Sequence, residues 1–339
     1  MKKATIKDVS ELSGYSITTI SRVLNGNYPV KKETKEKILK VIDELDFSRN
    51  SLARNLRTQK SNIIGLVVAD INNPYYSSIA KKLDDGLFKS DYNLIVCNTD
   101  ESEEKERKIL TTLSDKGVDA IVISPVAKDI ELLRKLNDSG IHVIIIDRNI
   151  GVMDLPFVGS DNFDESKKLT EHLITNGHKK IAFVSGTPKA ITSQDRLYGF
   201  RAALVENKLP FSDENIIEGF YQKEKAYKNI LKFLQNNQTN TDPFTAIFSS
   251  NNLMTAGVIK AANELNLNIP EDISLVSFGE LDSQEIIEPK ITCIKQNIDT
   301  ITKKILNDII ILLKQDKKVD SDLISDSLKI GNSVKNLIK

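Results

Sequence analysis

The string TIKDVSELSGYSITTISRVLNGN, residues 5–27, reads as two short helices across a tight turn. Thr5 places a hydroxyl cap three residues ahead of the Asp8 carboxylate, an imperfect capping box that opens a helix with Ile6, Val9 and Leu12 on its apolar stripe. Gly14 ends that helix. Ser16 caps a second, Ile17 to Asn25, with Ile20, Val23 and Leu24 on its inner face and Asn25-Gly26-Asn27 as its stop. Farther along, Ile38, Leu39, Ile42 and Leu45 fall at helical spacing on a third helix, about Lys32 to Leu45, and cover the other two. The pattern is an all-α helix-turn-helix headpiece.

A helix of this kind fits the major groove of DNA and meets base edges near its amino-terminal end. Ile17, Thr18 and Arg22 are the outward residues there: Arg22 can chelate a guanine edge, Ile17 can touch a thymine methyl and Thr18 can bond either kind of base. Thr5, Ser16, Thr19, Ser21 and Asn25 offer hydroxyl, amide and helix-terminus donors to phosphates, which fix position without reading sequence. Charge agrees with this. The 339-residue chain is formally neutral, yet residues 1–60 carry 13 basic against seven acidic side chains, a net +6 that leaves −6 for the remainder. An apolar fraction of 40% and a charged fraction of 28% fit a soluble globular protein, and no apolar run approaches the ~20 residues of a membrane span. Met1-Lys2-Lys3 leads at once into a polar stretch without the apolar core of a secretory signal, and Cys97 and Cys293 read as reduced thiols, so a cytoplasmic location is expected.

From Asn62 onward, short β-branched runs alternate with amphipathic helical segments, the pattern of a parallel sheet covered by helices on both faces. NIIGLVVADI, YNLIVCNT, VDAIVISP and IHVIIIDR belong to one lobe; KKIAFVSG, NIIEGFY, TAIFSSN and ISLVSFGE belong to another. The expected core is therefore α/β, two doubly wound parallel-sheet lobes, with ligand groups at the carboxyl ends of the strands where the lobes face each other. Those ends carry Asn73, Tyr75, Tyr76, Asp147, Arg148, Asp161, Thr192, Arg196, Tyr221, Asn251 and Gln296. Aromatic faces stack on the apolar face of a sugar ring, while carboxylate, guanidinium and amide groups bond its hydroxyls, so the set suits a carbohydrate better than a nucleobase or a phosphate.

Residues 5–68, from TIKDVSELSG to SNIIGLVV, resemble the headpiece, hinge and first core strand of the LacI/GalR repressors, nearly without gaps. The resemblance implies a DNA-binding transcription regulator, a repressor acting as a homodimer on an inverted-repeat operator, with Ile17, Thr18 and Arg22 in the base-reading positions. It implies that residues 50–57 form a hinge helix only on DNA, where Leu56 enters the minor groove as a wedge, Asn50 and Ala53 flank it, and Arg54 and Arg57 lie beside phosphates. The core resembles that of periplasmic sugar-binding proteins. The domain reading is a headpiece at 1–46, a hinge at 47–60, a first lobe from 61–162 and 291–320, and a second from 163–290 and 321–339.

DINNPYY, the Asp147-Arg148 pair and Gln296 resemble family ligand positions, which implies a small sugar-like effector. After VSF the family places an aspartate where this chain has Gly279; either Glu280 substitutes from one position along or the ligand lacks the matching hydroxyl. Ala190 removes a charged contact that purine-responsive members use, and members that answer to a phosphoprotein tend to lack the Asp147-Arg148 pair, so both alternatives are disfavoured. An enzyme is disfavoured too. There is no Gly-rich phosphate loop or nucleophile elbow, and His142, His172 and His178 have no metal-ligand spacing, so no catalytic residue, cofactor or metal is assigned. A transport-type sugar receptor would share the core but not the basic headpiece. A helix from about Ile298 to Lys314 is core, and no leucine heptads follow Ile330, which points to a dimer.

Overall fold

In the computed structural model, which describes residues 4–25, 29–45, 61–127, 130–151, 154–282, 286, 288–315 and 317–338, the first helix opens on a reciprocal cap. The Asp8 amide donates to Thr5 Oγ1 at 3.4 Å while the Asp8 carboxylate accepts the Thr5 amide at 2.6 Å, so two otherwise orphaned donors are satisfied. The chain divides into two units, residues 1–61 and 62–339.

The first unit holds α1 (Ile6–Ser13), α2 (Ile17–Asn25) and α3 (Lys32–Glu44). Gly14, at φ 72°, turns the chain out of α1, a left-handed conformation in which a Cβ would be strained. Val9, Ile20, Val23 and Ile38 are buried, with Ile6, Leu24, Ile42 and Leu45 packed against them. Two expected core residues are not in this core: Leu12 is 65% and Leu39 is 44% exposed. A unit this small has one core layer, and α1 brings only Val9 fully into it. The expected hinge residues Asn50, Ala53 and Leu56, with Arg54 and Arg57, lie outside the described residues.

The second unit continues as β1 (Ile63–Val68), α4 (Pro74–Phe88), β2 (Asn93–Asn98), α5 (Glu103–Asp115), β3 (Ala120–Ile123), α6 (Ile130–Asp138), β4 (His142–Ile146) and β5 (Phe157–Ser160). It then repeats the pattern as α7 (Asn162–Thr175), β6 (Ile181–Ser185), α8 (Ile191–Glu206), β7 (Ile216–Glu218), α9 (Lys223–Gln238), β8 (Ala246–Ser249), α10 (Asn252–Glu264) and β9 (Ser274–Phe278). The chain ends through β10 (Thr292–Lys295), α11 (Ile298–Gln315), β11 (Asp322–Ile324) and β12 (Ser327–Lys329). The sheets have the orders β11-β5-β4-β3-β1-β2 and β12-β10-β9-β8-β6-β7. Every pairing is parallel except β10 with β12.

Both sheets are doubly wound. Leu66, Val68 and Ile144 pack toward α4 and α11, while Val67, Ile121 and Val143 on the other face meet leucines of α5 and α6. In the second lobe Val184 and Leu275 pack toward α9 and α10, and Phe183 and Phe248 pack against Phe200 of α8. Such sheets are buried on both faces, which is why their strands read as unbroken apolar runs. Among the described residues, no helix is long and apolar enough to cross a membrane.

The lobe boundaries differ from those expected after residue 290. β10 extends the second sheet, with Thr292, Cys293 and Ile294 in register with Val276, Ser277 and Phe278, and only then does the chain cross to place α11 on the first lobe. β11 joins the first sheet beside β5, and β12 returns to the second. The apolar TCI run finds its partner in the neighbouring β9 strand before the crossing rather than after it.

Helices α7 and α8 approach so closely that a Cβ on Gly199 would stand 2.1 Å from the backbone oxygen of Phe163. Backbone cannot yield as a side chain does. Gly199→Ala is expected to cost about 2–3 kcal/mol in a chemical denaturation of the full chain, as overpacking does; an unchanged midpoint and slope would disprove the contact.

Candidate functional site

In the headpiece, successive residues of α2 advance by about 100°, so Thr18, Ser21 and Arg22 share one arc opposite buried Ile20 and Val23. Thr18 and Arg22 are exposed, and Ile17 at the start of the helix is 44% exposed. The expected phosphate donors fall at the start of α1 and along α2. The Ser16 hydroxyl accepts the Thr19 amide at 3.3 Å and lies 2.9 Å from the Thr19 hydroxyl; Thr5 caps α1; Asn25 is the last residue of α2. Backbone amides at the start of α2 and exposed hydroxyls thus lie beside the arc that carries Arg22.

In the second unit the carboxyl ends of both sheets converge on a partly open cavity of about 40 Å³. Its lining brings together Asn73, Tyr75, Tyr76, Asp147, Arg148, Thr192, Arg196, Tyr221, Asn251 and Gln296, ten residues expected from strand ends alone. Each is positioned by a local device. Asn73 caps α4, accepting the Tyr75 amide at 3.0 Å, and Pro74 follows at the first helical position, so the tyrosines stand on the first turn. Asn251 caps α10 in the same way, with the Met254 amide at 2.8 Å. Asp147 and Tyr221 have φ of 61° and 59°, conformations that side chains seldom adopt and that persist only where neighbours hold them.

The neighbours are identifiable. The Tyr76 hydroxyl donates to Asp147 Oδ2 at 2.6 Å and lies 2.9 Å from the Ser124 hydroxyl. Arg148 donates from both terminal nitrogens to Glu101, at 2.9 and 2.5 Å, and its Nε lies 3.9 Å from Asp147. Burial works against the Arg148 charge, but the Tyr76 oxygen, Glu101 and Asp147 outweigh it and hold the guanidinium above its ordinary range. Across the cavity Arg196 donates to Asn162 at 2.8 Å and to the Ser250 carbonyl at 2.6 Å, with its guanidinium 3.7 Å above the Phe278 ring. The Thr192 and Tyr221 hydroxyls lie 3.0 Å apart. Burial raises Tyr75, Tyr76 and Tyr221 well out of reach of neutral pH, so they are hydroxyls and not phenolates. The Tyr75 hydroxyl is buried without a hydrogen-bond partner at the cavity wall. Directional donors and acceptors beside aromatic faces are what a polyol ring requires.

Two expected ligand residues stand elsewhere. Asp161 caps α7, its carboxylate accepting the Asp164 amide at 2.9 Å, and is not in the lining. Glu280 pairs with Lys329, and with Lys295 at 3.6 Å, and lines an outer groove beside Gly279 instead. Both carboxylates are taken by nearer partners. The strand-end reading in turn missed Asp70, Glu101, Asn252 and Phe278, which line the cavity. Asp70 opens the same DINNPYY string, and Phe278 closes the strand ahead of Gly279.

Two family models match this architecture: bacterial regulatory proteins of the lacI family over residues 5–50, and the periplasmic binding proteins and sugar binding domain of the LacI family over residues 61–332. The chain belongs to the LacI family. Among its LacI-family relatives, catabolite control protein A of Priestia megaterium is 32% identical over 86% of this chain and 87% of its own length. The transcriptional repressor PurR of Histophilus somni is 30% identical over 98% of this chain and all of its own. The crystal structure of the lac repressor dimer bound to operator and the anti-inducer ONPF superposes with a TM-score of 0.83 at 21% identity, covering 98% of this chain and all of that one, which shows a shared LacI-family fold.

At the crossings between lobes, Asp326 accepts the Asn297 amide at 2.9 Å and a hydrogen bond from Ser160, whose hydroxyl also receives Gln296 at 3.3 Å. Burial pushes the Asp326 carboxyl up to about 6, against those hydrogen bonds. The fold therefore favours the protonated form, a contribution present in full below about pH 4 and lost as pH rises through 6. Asp326→Asn is expected to raise the unfolding free energy at pH 7.5 by about 1–3 kcal/mol, read as a higher melting midpoint, with the gain shrinking toward pH 4. A gain independent of pH over that window would contradict this.

Proposed function

We propose that this chain is a sequence-specific DNA-binding transcriptional repressor that grips an inverted-repeat operator as a homodimer and is governed by a small sugar-like effector in the interlobe cavity. The observation that carries the reading is the pairing, in one LacI-family chain, of an outward α2 arc bearing Thr18 and Arg22 with a cavity built at the carboxyl ends of two parallel sheets. Ile17, Thr18 and Arg22 read bases; Thr5, Ser16, Thr19, Ser21 and Asn25 hold phosphates; Asn50, Ala53 and Leu56 of the hinge enter the minor groove. In the core Asn73, Tyr75, Tyr76, Asp147, Arg148, Thr192, Arg196, Tyr221, Asn251 and Gln296 hold the effector.

A receptor fits the cavity better than a catalyst does. Asp147 is bonded by Tyr76 and Arg148 by Glu101, so the charged groups brace one another rather than stand poised for proton transfer. Operator DNA places the protein in the cytoplasm. The purine reading finds little support, because Ala190, buried at the start of α8, has no charged group to offer. Effector and operator are coupled through one protein, so each alters affinity for the other by the same factor.

The operator is recovered by selection from random duplexes with the full-length protein, and single-base variants are then titrated. Arg22→Ala should cost about 1–3 kcal/mol at the selected site and relax preference at one base position. An equal loss on scrambled DNA would reject base reading.

A further inference from the structure

The cavity contains two guanidinium groups and three carboxylates, and the placement of Glu101 decides what its net charge means for a ligand. Arg148 is committed to Glu101 through both terminal nitrogens, the bidentate geometry that neutralises an arginine most completely. Arg196 is held by Asn162, the Ser250 carbonyl and the Phe278 face, all neutral, and its charge offsets only one of the two other carboxylates. Asp70 and Asp147 remain, without a further cation in the lining. The backbone bears the cost of this arrangement: Asp100 and Glu101 are consecutive left-handed residues, at φ 53° and 59°, held by Asn98 and Lys105 on Asp100.

The other usual anion receptors are closed as well. Helix amino termini attract phosphates through free amides, but the first turns of α4 and α10, which face the cavity, are already capped by the side chains of Asn73 and Asn251. Helix α8 begins at Ala190 without a side-chain cap, yet neither Ala190 nor Ile191 belongs to the lining, and the Thr192 hydroxyl that does is paired with Tyr221. What the cavity offers without a hydrogen-bond partner is the Tyr75 hydroxyl and the Nε of Arg148, a guanidinium whose charge Glu101 balances.

We propose that Glu101 is a specificity-determining residue that cancels Arg148, so that the cavity selects an uncharged monosaccharide and turns away phosphorylated and carboxylated sugars. The inference rests on the sugar reading above and adds the charge class of the ligand. A hydroxyl oxygen accepts from Arg148 Nε, a hydroxyl proton goes to Asp147 or Asp70, and Tyr75 serves in either sense. A phosphate or carboxylate would meet a lining that already carries one more carboxylate than guanidinium.

The test is calorimetric titration of the full-length protein with D-ribose, D-glucose and D-galactose beside D-ribose 5-phosphate, D-glucose 6-phosphate and D-galacturonate. At least one free sugar is expected to bind, with its charged counterpart weaker by roughly 100-fold or more. Glu101→Gln, which keeps the shape and frees the Arg148 charge, should narrow that ratio at least about tenfold, whereas Glu101→Asp, which keeps the charge, should largely preserve it. Wild-type protein that binds a charged sugar as tightly as its free form overturns the inference and leaves the sugar reading standing. So does a ratio unmoved in a Glu101→Gln variant whose circular dichroism and melting are unchanged. Binding of no member of either series overturns the sugar reading and this inference with it.

Discussion

A carboxylate can sit inside a protein only if its charge and most of its lone pairs are answered, and Asp147 meets that demand through one oxygen, Oδ2, leaving the other toward the cavity. The residue follows the buried run 143–146 of β4, turned into a left-handed conformation, and is 7% exposed. Tyr76, Ser124 and Arg148 answer it, and Arg148 in turn needs Glu101. The network ties the first turn of α4 to the segments that follow β2, β3 and β4. Remove it, and the first lobe would have to fill with apolar side chains or water; with it, the same space stays open, polar and shaped.

Much of this was legible in the sequence because parallel sheets advertise themselves. IIGLVV and IAFVS are buried on both faces, so their composition alone marks strands, and the rule that polar residues gather at strand ends locates most of the lining. The headpiece was legible through its caps. What escaped were β5, β11 and β12, three or four residues long and mixed in polarity, whose identity depends on which neighbouring strand the chain returns to. β10 escaped for the same reason, since a four-residue run is decided by β9 lying beside it.

The misread site residues share a cause. Asp161 and Glu280 have the right chemistry near the right place, but a helix amino terminus claims the first and two lysines claim the second. Glu101 was passed over because an acid just after an edge strand reads as solvated loop; its role emerges only when Arg148, 47 positions away, is brought against it. Local periodicity fixes elements, whereas pairings between distant charges are set by topology.

The exchange of β10 and β11 between the sheets has an evolutionary corollary. Neither lobe is a continuous length of chain, so no single recombination junction can transplant one of them intact, and a hybrid spliced inside the core inherits mismatched sheet edges. The DNA-binding unit ends before residue 62, and its described residues contribute no strand to either sheet of the core. Genetic exchange within such a lineage is thereby channelled: one splice can pair a different operator preference with a whole core, while a change inside one lobe has to come by substitution rather than by exchange of that lobe.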